Sequence, residues 1–281
     1  MKNILLLIII IPAFLLGSCG NNPYKDKKEN RIKGLRIISL VPSITKEIEQ
    51  LGLIDLVVGA TSFCDISKKN PELIVGSAIS INEEKILLLK PDIVFSSTLT
   101  KPESEEILRK NGIKIVSMNK LSSFDDICTH YIALGKELDK EQIATEFVTK
   151  SRKKLDSIIS TIPKTKERPR IFFQLGAKPL VTVLSGTFMN DFIIFANADN
   201  IYSDISNIIV SRESVVLRNP SHIIISSMGS ICGQEKIIWN DYPDIDAVKN
   251  NNIFKVESVS TPTVAAFVKH FEIIKNELYG K

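Results

Sequence analysis

Between Ser122 and Ile162 the chain carries two helical segments, and the second has an apolar stripe that runs unbroken for most of its length. Ile143, Ala144, Phe147, Val148, Leu155, Ile158, Ile159 and Ile162 recur at the spacing of one helical face. Lys140, Glu141, Lys150, Arg152, Lys153 and Asp156 supply the opposite face. Asp139 is the expected N-cap, with Gln142 three residues on in a capping-box arrangement, and Pro163 ends the pattern. Roughly 23 residues at 1.5 Å each make a rod about 35 Å long, as long as a small domain is wide. Strand and helix signals alternate on both sides of it. The pattern predicts an α/β chain of two Rossmann-like lobes joined by a single long helix.

Before the rod, Arg36–Val41, Leu56–Ala60, Asp92–Ser96 and Ile113–Val116 read as strands. Ile44–Leu51 (stopped by Gly52), Asn82–Leu89 and Glu103–Lys110 read as helices. After the rod, strands are expected at Arg170–Gln174, Leu180–Leu184, His222–Ser226 and Ile253–Val256, and helices at Phe188–Ala196, Ser211–Leu217 and Val264–Leu278. Strands separated by helices need crossover connections, hence a largely parallel sheet in each lobe. The second half repeats this architecture with no obvious repetition of sequence. The expected plan is a leader over residues 1–18, a tether over 19–34, an N-terminal lobe over 35–121, a helical connector over 122–163 and a C-terminal lobe over 168–281.

The leader reading rests on Lys2 followed by the apolar run Ile4–Leu16, which is short for a bilayer span and suited to a secretory signal. Leu16-Gly17-Ser18-Cys19 resembles the lipobox of bacterial lipoproteins, which implies cleavage before Cys19 and lipidation of that cysteine. The alternative is an ordinary signal peptide with an incidental cysteine. Asn21–Lys33 is polar and charged, a spacer with no reason to fold. The body is therefore expected in the cell envelope, outside the cytoplasmic membrane and on the periplasmic side, anchored to a membrane by lipid.

A net charge of +4, with acids and bases interspersed, does not point to a nucleic-acid surface. Four scattered cysteines with no CxxC pair argue against structural zinc. The chain has no GxSxG elbow, GxxxxGK loop, GxGxxG turn or HExxH helix. His130, His222 and His270 all fall outside the expected strand-exit loops and read as structural or solvated. No catalytic residue, metal site or cofactor is expected.

In open α/β sheets ligands bind beyond the carboxyl ends of the strands. That points to Pro42-Ser43 with Thr45, Ser62–Asp65 and Ser97–Thr100 in the first lobe. In the second it points to Gln174–Lys178, Ser185–Phe188 and Ser227–Cys232. Hydroxyls, backbone donors and a few aromatics suit a large polar ligand with apolar faces.

The stretches Arg36–Thr45 (RIISLVPSIT), Val58–Asp65 (VGATSFCD), Asn82–Ile86 and Leu89–Val94 resemble the opening of the substrate-binding lipoproteins of ABC importers for cobalamin, haem and iron–siderophores. Pro179–Phe188, Asp199–Tyr202, Val210–Glu213 and Val248–Phe254 continue the likeness through the second lobe. The resemblance implies a receptor that holds a large chelate between two lobes bridged by one helix and presents it to a permease dimer with its ATPase. It also implies lobes that open and close little.

The Phe-Cys-Asp exit loop with Pro-Ser-Ile-Thr is most similar to the cobalamin branch, so a corrinoid is the expected ligand, with haem or a ferric siderophore the alternative. The candidate ligand-binding residues are Pro42, Ser43, Thr45, Ser62, Phe63, Cys64, Thr98, Gln174, Phe188 and Trp239. Phe63, Phe188 and Trp239 are stacking candidates that could equally be core. Cys64 reads as a soft ligand or a packed thiol, Cys128 as core and Cys232 as a loop thiol, and a bridge from Cys64 to Cys232 would hold the lobes shut.

Glu84 and Glu213 occupy equivalent first-turn positions. The resemblance makes them the pair that docks into arginine pockets of the permease, with Glu83 the near alternative to Glu84. Otherwise both simply complement helix N-termini. The receptor is expected to act as a monomer. A lipid-anchored hydrolase on the same fold, or an adhesion lipoprotein, are the readings from other classes.

Overall fold

The computed structural model describes residues 34–77, 79–164, 167–227, 232–257 and 259–280. The leader, Cys19 and the tether lie outside the described residues. In chain order the strands are β1 (Ile37–Ser39), β2 (Val57–Ala60), β3 (Ile93–Ser97), β4 (Lys114–Met118), β5 (Arg170–Ala177), β6 (Leu180–Thr182), β7 (Asp199–Asn200), β8 (His222–Ser227) and β9 (Ile253–Glu257). The helices of the first half are α1 (Pro42–Gln50), α2 (Asp65–Lys69), α3 (Glu83–Leu88), α4 (Pro102–Lys110), α5 (Phe124–Glu137) and α6 (Glu141–Ser160). Those of the second half are α7 (Asn190–Phe195), α8 (Arg212–Arg218), α9 (Cys232–Trp239), α10 (Asp246–Lys249) and α11 (Val264–Tyr279).

The first sheet is parallel throughout, in the order β2-β1-β3-β4, with Ile37 opposite Val57 on one side and Ile93 on the other. The second runs β6-β5-β8-β9, with β7 beside β5. Only the β5–β6 hairpin is antiparallel, turning at the cis Lys178–Pro179 bond. Composition explains the ordering. Central strands are covered on both faces and read as unbroken apolar runs, as in Ile37-Ile38 of β1 and Ile223-Ile224-Ile225 of β8, all essentially buried. The edge strands β4 and β9 are more open: in β9, Ile253 and Val256 are buried while Lys255 and Glu257 are exposed.

The connector is an antiparallel helix pair. The α6 helix has 20 residues, about 30 Å of rise. Ala144, Val148, Leu155 and Ile162 of its stripe are buried, whereas Ile143 is half exposed. Gly135 of α5 lets the two backbones close up, since a Cβ there would lie 2.6 Å from the Ala144 Cβ. The expected cap is corrected: the N-cap is Lys140, without a side-chain bond. Asp139 instead takes φ +52° in the tight turn between the helices.

At the start of α5, Phe124 stacks on Phe267 of α11 (4.5 Å between centroids), which in turn stacks on Phe192 of α7 (4.3 Å). The Phe124 N–H donates to Asp191 Oδ2 at 2.7 Å. The connector is thereby packed into the C-terminal half.

Candidate functional site

The loops leaving β1, β2 and β3 are the first half of the candidate site. The α1 helix starts at Pro42 itself, whose missing N–H costs nothing at the first helical position, so Pro42-Ser43 is a first turn rather than a loop. Behind it lies a buried hydroxyl–thiol cluster. Thr45 Oγ1 sits 2.8 Å from Ser39 Oγ, 3.1 Å from the Val41 carbonyl oxygen and 3.2 Å from Cys64 Sγ. Thr61 Oγ1 is 3.3 Å from the same sulfur. These contacts tie α1 to the exit of β2 and fix the Ser62-Phe63 turn outside them.

Thr45 and Cys64 therefore brace the loop rather than line its surface. Cys64 is a free, fully buried thiol held against Thr45 and Thr61, which fits the packed reading rather than the soft-ligand or bridged one. The side chain of Cys232 lies outside the described residues. Ser62, Phe63 (62% exposed) and Thr98 are open to solvent, Pro42 is half-buried and Ser43 is buried.

In the second half, Gln174 and Trp239 are drawn inward. Gln174 Nε2 donates to Glu235 Oε2 (2.7 Å), and Trp239 Nε1 donates to Gln174 Oε1 (2.8 Å). Arg212 pairs with Glu235 at 2.5 Å and lies over the indole, its guanidinium carbon 4.5 Å from the ring centroid. Trp239 is wholly buried and Gln174 nearly so, which takes both out of the stacking and ligand-facing set.

Phe188 is also buried, at the end of a loop held by Asn200. The Asn200 amide donates to the Val183 carbonyl (3.0 Å) and Asn190 Oδ1 (2.9 Å), and its own Oδ1 accepts the Tyr202 N–H. That explains the Asp199–Tyr202 motif: it shapes the Ser185–Phe188 loop, where Ser185 and Gly186 are exposed and Gly186 has φ +74°.

The sequence reading missed Arg212, Glu235 and Glu47. Arg212 and Glu235 come from α8 and α9, and no local pattern announces their meeting. Glu47 was visible as a charge on the apolar face of α1 between Ile44 and Ile48. It is 2% exposed, and burial pushes its carboxyl well above the ordinary value. It lies near enough to α5 that its charge adds to the burial that lifts Cys128 to about 11 and Tyr131 to about 12.

The three histidines are held below their ordinary value, first of all by burial, and none sits at a strand exit. Among the described residues no group of His, Cys, Asp or Glu could hold a metal ion, and no helix is long and apolar enough to cross a membrane. Hollows of about 530 Å³ (lined by Lys236, Asn251 and Glu277) and about 520 Å³ (lined by Ile159, Ile194 and Phe195) lie away from the strand exits.

Glu84 and Glu213 are exposed. Glu83 is occupied, accepting from Ser104 Oγ at 2.5 Å. The Glu213 carboxyl is held below its ordinary value by its own backbone N–H and then by the Ser211 hydroxyl.

Two sheets whose strand exits offer hydroxyls, backbone donors and an open aromatic ring suit the binding of a solute. The chain belongs to the periplasmic binding protein family, whose profile matches residues 37–259. An uncharacterised ABC-transporter substrate-binding lipoprotein of Bacillus subtilis, YvrC, is 25% identical to it, over 89% of this chain and 88% of that protein. A vitamin B12-binding protein of Vibrio campbellii is 26% identical, over 86% and 91%.

Among solved structures, the vitamin B12-binding protein BtuF of Vibrio cholerae superposes with a TM-score of 0.72 at 25% identity, covering 86% of this chain and 96% of that one. The haem-binding protein HutB of Vibrio cholerae gives 0.76 at 20% identity, covering 88% and 99%, a likeness of fold. The chain is a substrate-binding protein of the ABC-importer type, an extracytoplasmic receptor and not an enzyme.

Proposed function

We propose that this receptor captures a corrinoid between its two lobes and delivers it, as a monomer anchored through lipid on Cys19, to an ABC permease dimer with its ATPase. The observation that carries the ligand class is the likeness to vitamin B12-binding proteins over nearly the whole chain. The geometry supports it. Ser62, Phe63 and Thr98 on one side, and the Ser185–Phe188 loop on the other, offer hydroxyls and one open ring for a broad, polar-edged molecule. In this reading Glu84 and Glu213 dock into cationic pockets of the permease, one from each lobe.

A haem or ferric siderophore is the second reading. It is favoured by a possible iron-binding protein of Staphylococcus epidermidis, which is 26% identical with a TM-score of 0.75, covering 87% of this chain and 98% of that one.

Calorimetric titration of residues 20–281 with cyanocobalamin, cobinamide, haem and a ferric siderophore separates these readings. One-to-one binding of a corrinoid at micromolar affinity or tighter is expected. Binding of haem or siderophore alone moves the ligand to the second reading, and silence from all four removes both.

A further inference from the structure

Although no repeat is evident along the chain, folding brings one out. Residues 82–97 and 211–226 align without a gap, and the match holds position by position in structure. Asn82 and Ser211 are N-caps whose side chains accept the N–H of Lys85 (2.8 Å) and Ser214 (3.2 Å). Glu84 and Glu213 come second in α3 and α8. Ile86 and Val215 are wholly buried beneath them. Lys90 and Asn219 both turn the chain at positive φ (47° and 42°), a proline follows each, and then come β3 and β8, each third in its sheet.

One pair in this repeat has no use in the fold. Leu88 and Leu217, one helical turn beyond the two glutamates and on the same side of their helices, are 81% and 86% exposed. They are the two most exposed large apolar side chains among the described residues. A single exposed leucine is ordinary, but here the same residue stands at the same place in both lobes.

The cations within the two helices are turned to other partners, Arg218 among them to Asp204. Lys85 Nζ is turned to the Glu72 and Ile74 carbonyls (2.8 and 2.7 Å), and Arg212 to Glu235 (2.5 Å). Each helix thus presents a carboxylate and a leucine side by side. A partner that reads both faces must offer, twice, an apolar socket one helical turn from a cation, as two equivalent subunits do.

We infer that Leu88 and Leu217 are paired apolar anchors, each seated in a socket of one subunit of the permease dimer. This rests on the proposed docking of Glu84 and Glu213 and assigns a second contact to the same surface. The carboxylates set orientation and encounter, and the leucines slow release. The negative charge beside each leucine disfavours an anionic lipid surface as the occupant.

The test uses the full chain in producing cells. A photoreactive benzoylphenylalanine is placed in turn at positions 84, 88, 213 and 217, with the exposed Ile107 and Ile143 positions as controls. Adducts are identified by mass spectrometry. Adducts to the membrane-spanning importer subunit from both 88 and 217, and not from 107 or 143, are expected. Alongside, Leu88→Ser and Leu217→Ser should each weaken association with the permease in nanodiscs about tenfold, the lower end of what burying a leucine provides, at unchanged thermal stability.

Permease adducts from 84 and 213 without any from 88 and 217, or serine variants that associate like the parent, would overturn the inference and leave glutamate docking standing. Adducts from none of the four would remove both. Adducts from 88 and 217 to lipid, or to a second copy of this chain, would assign the leucines to the membrane or to self-association instead.

Discussion

Glu47 is the residue whose position is hardest to reconcile with its chemistry. It lies on the apolar face of α1, and no cation pairs with it among the described residues. Because burial raises its folded-state value above the ordinary 4.5, the folded protein holds that proton more tightly than the unfolded chain does. The resulting stability is complete below pH 4.5 and is lost as pH rises through the raised value. Glu47→Gln keeps the shape and removes the ionisation. Denaturant unfolding of parent and variant side by side should show the variant gaining relative stability as pH rises from 4.5, with the shared histidine contributions cancelling in the difference. Parallel curves would mean that Glu47 ionises normally. At this scale burial separates the candidate residues: Ser62, Phe63 and Thr98 face solvent, while Thr45, Cys64, Gln174 and Trp239 are held by protein partners.

Among the elements, the α5–α6 hairpin shows what periodicity can and cannot reveal. The stripe on α6 fixed its helical character and its inward face. It did not reveal how close α5 would come, because that depends on Gly135, a single residue without a side chain. Gly135→Ala should force the hairpin apart and cost about 1 to 3 kcal/mol, read as a lowered denaturation midpoint. A variant as stable as the parent would show that Ala144 and Lys140 yield freely.

The alternation of strands and helices, the parallel sheets and most element centres were legible because each rests on local pattern. Asp139 misled because a capping-box sequence says nothing about a φ of +52° forced by a tight turn. The short α2, α9 and α10 and the two-residue β7 lack the length for a periodic signal. Trp239 and Gln174 were misplaced because their partners, Arg212 and Glu235, are remote in sequence. The repeat joining α3 to α8 was hidden because what it conserves is exposure and backbone geometry: of the helical residues only Glu84/Glu213 and Leu88/Leu217 are identical.

On the scale of the whole molecule, the aromatic stack of Phe124, Phe267 and Phe192 makes the connector part of the second half's core. Phe124→Ala should destabilise the protein by about 3 to 5 kcal/mol in global unfolding. If the ring mattered only to the connector, the loss would instead appear as early fraying of α5 in hydrogen exchange with the global transition unmoved. A further consequence concerns dissection. A fragment cut at the sequence boundary, beginning at residue 168, would leave the faces of Phe192 and Phe267 bare and Asp191 without its amide donor. The two halves are, for folding, unequal: one carries the connector inside its own core, and a stable excised piece would have to start upstream of Ser123.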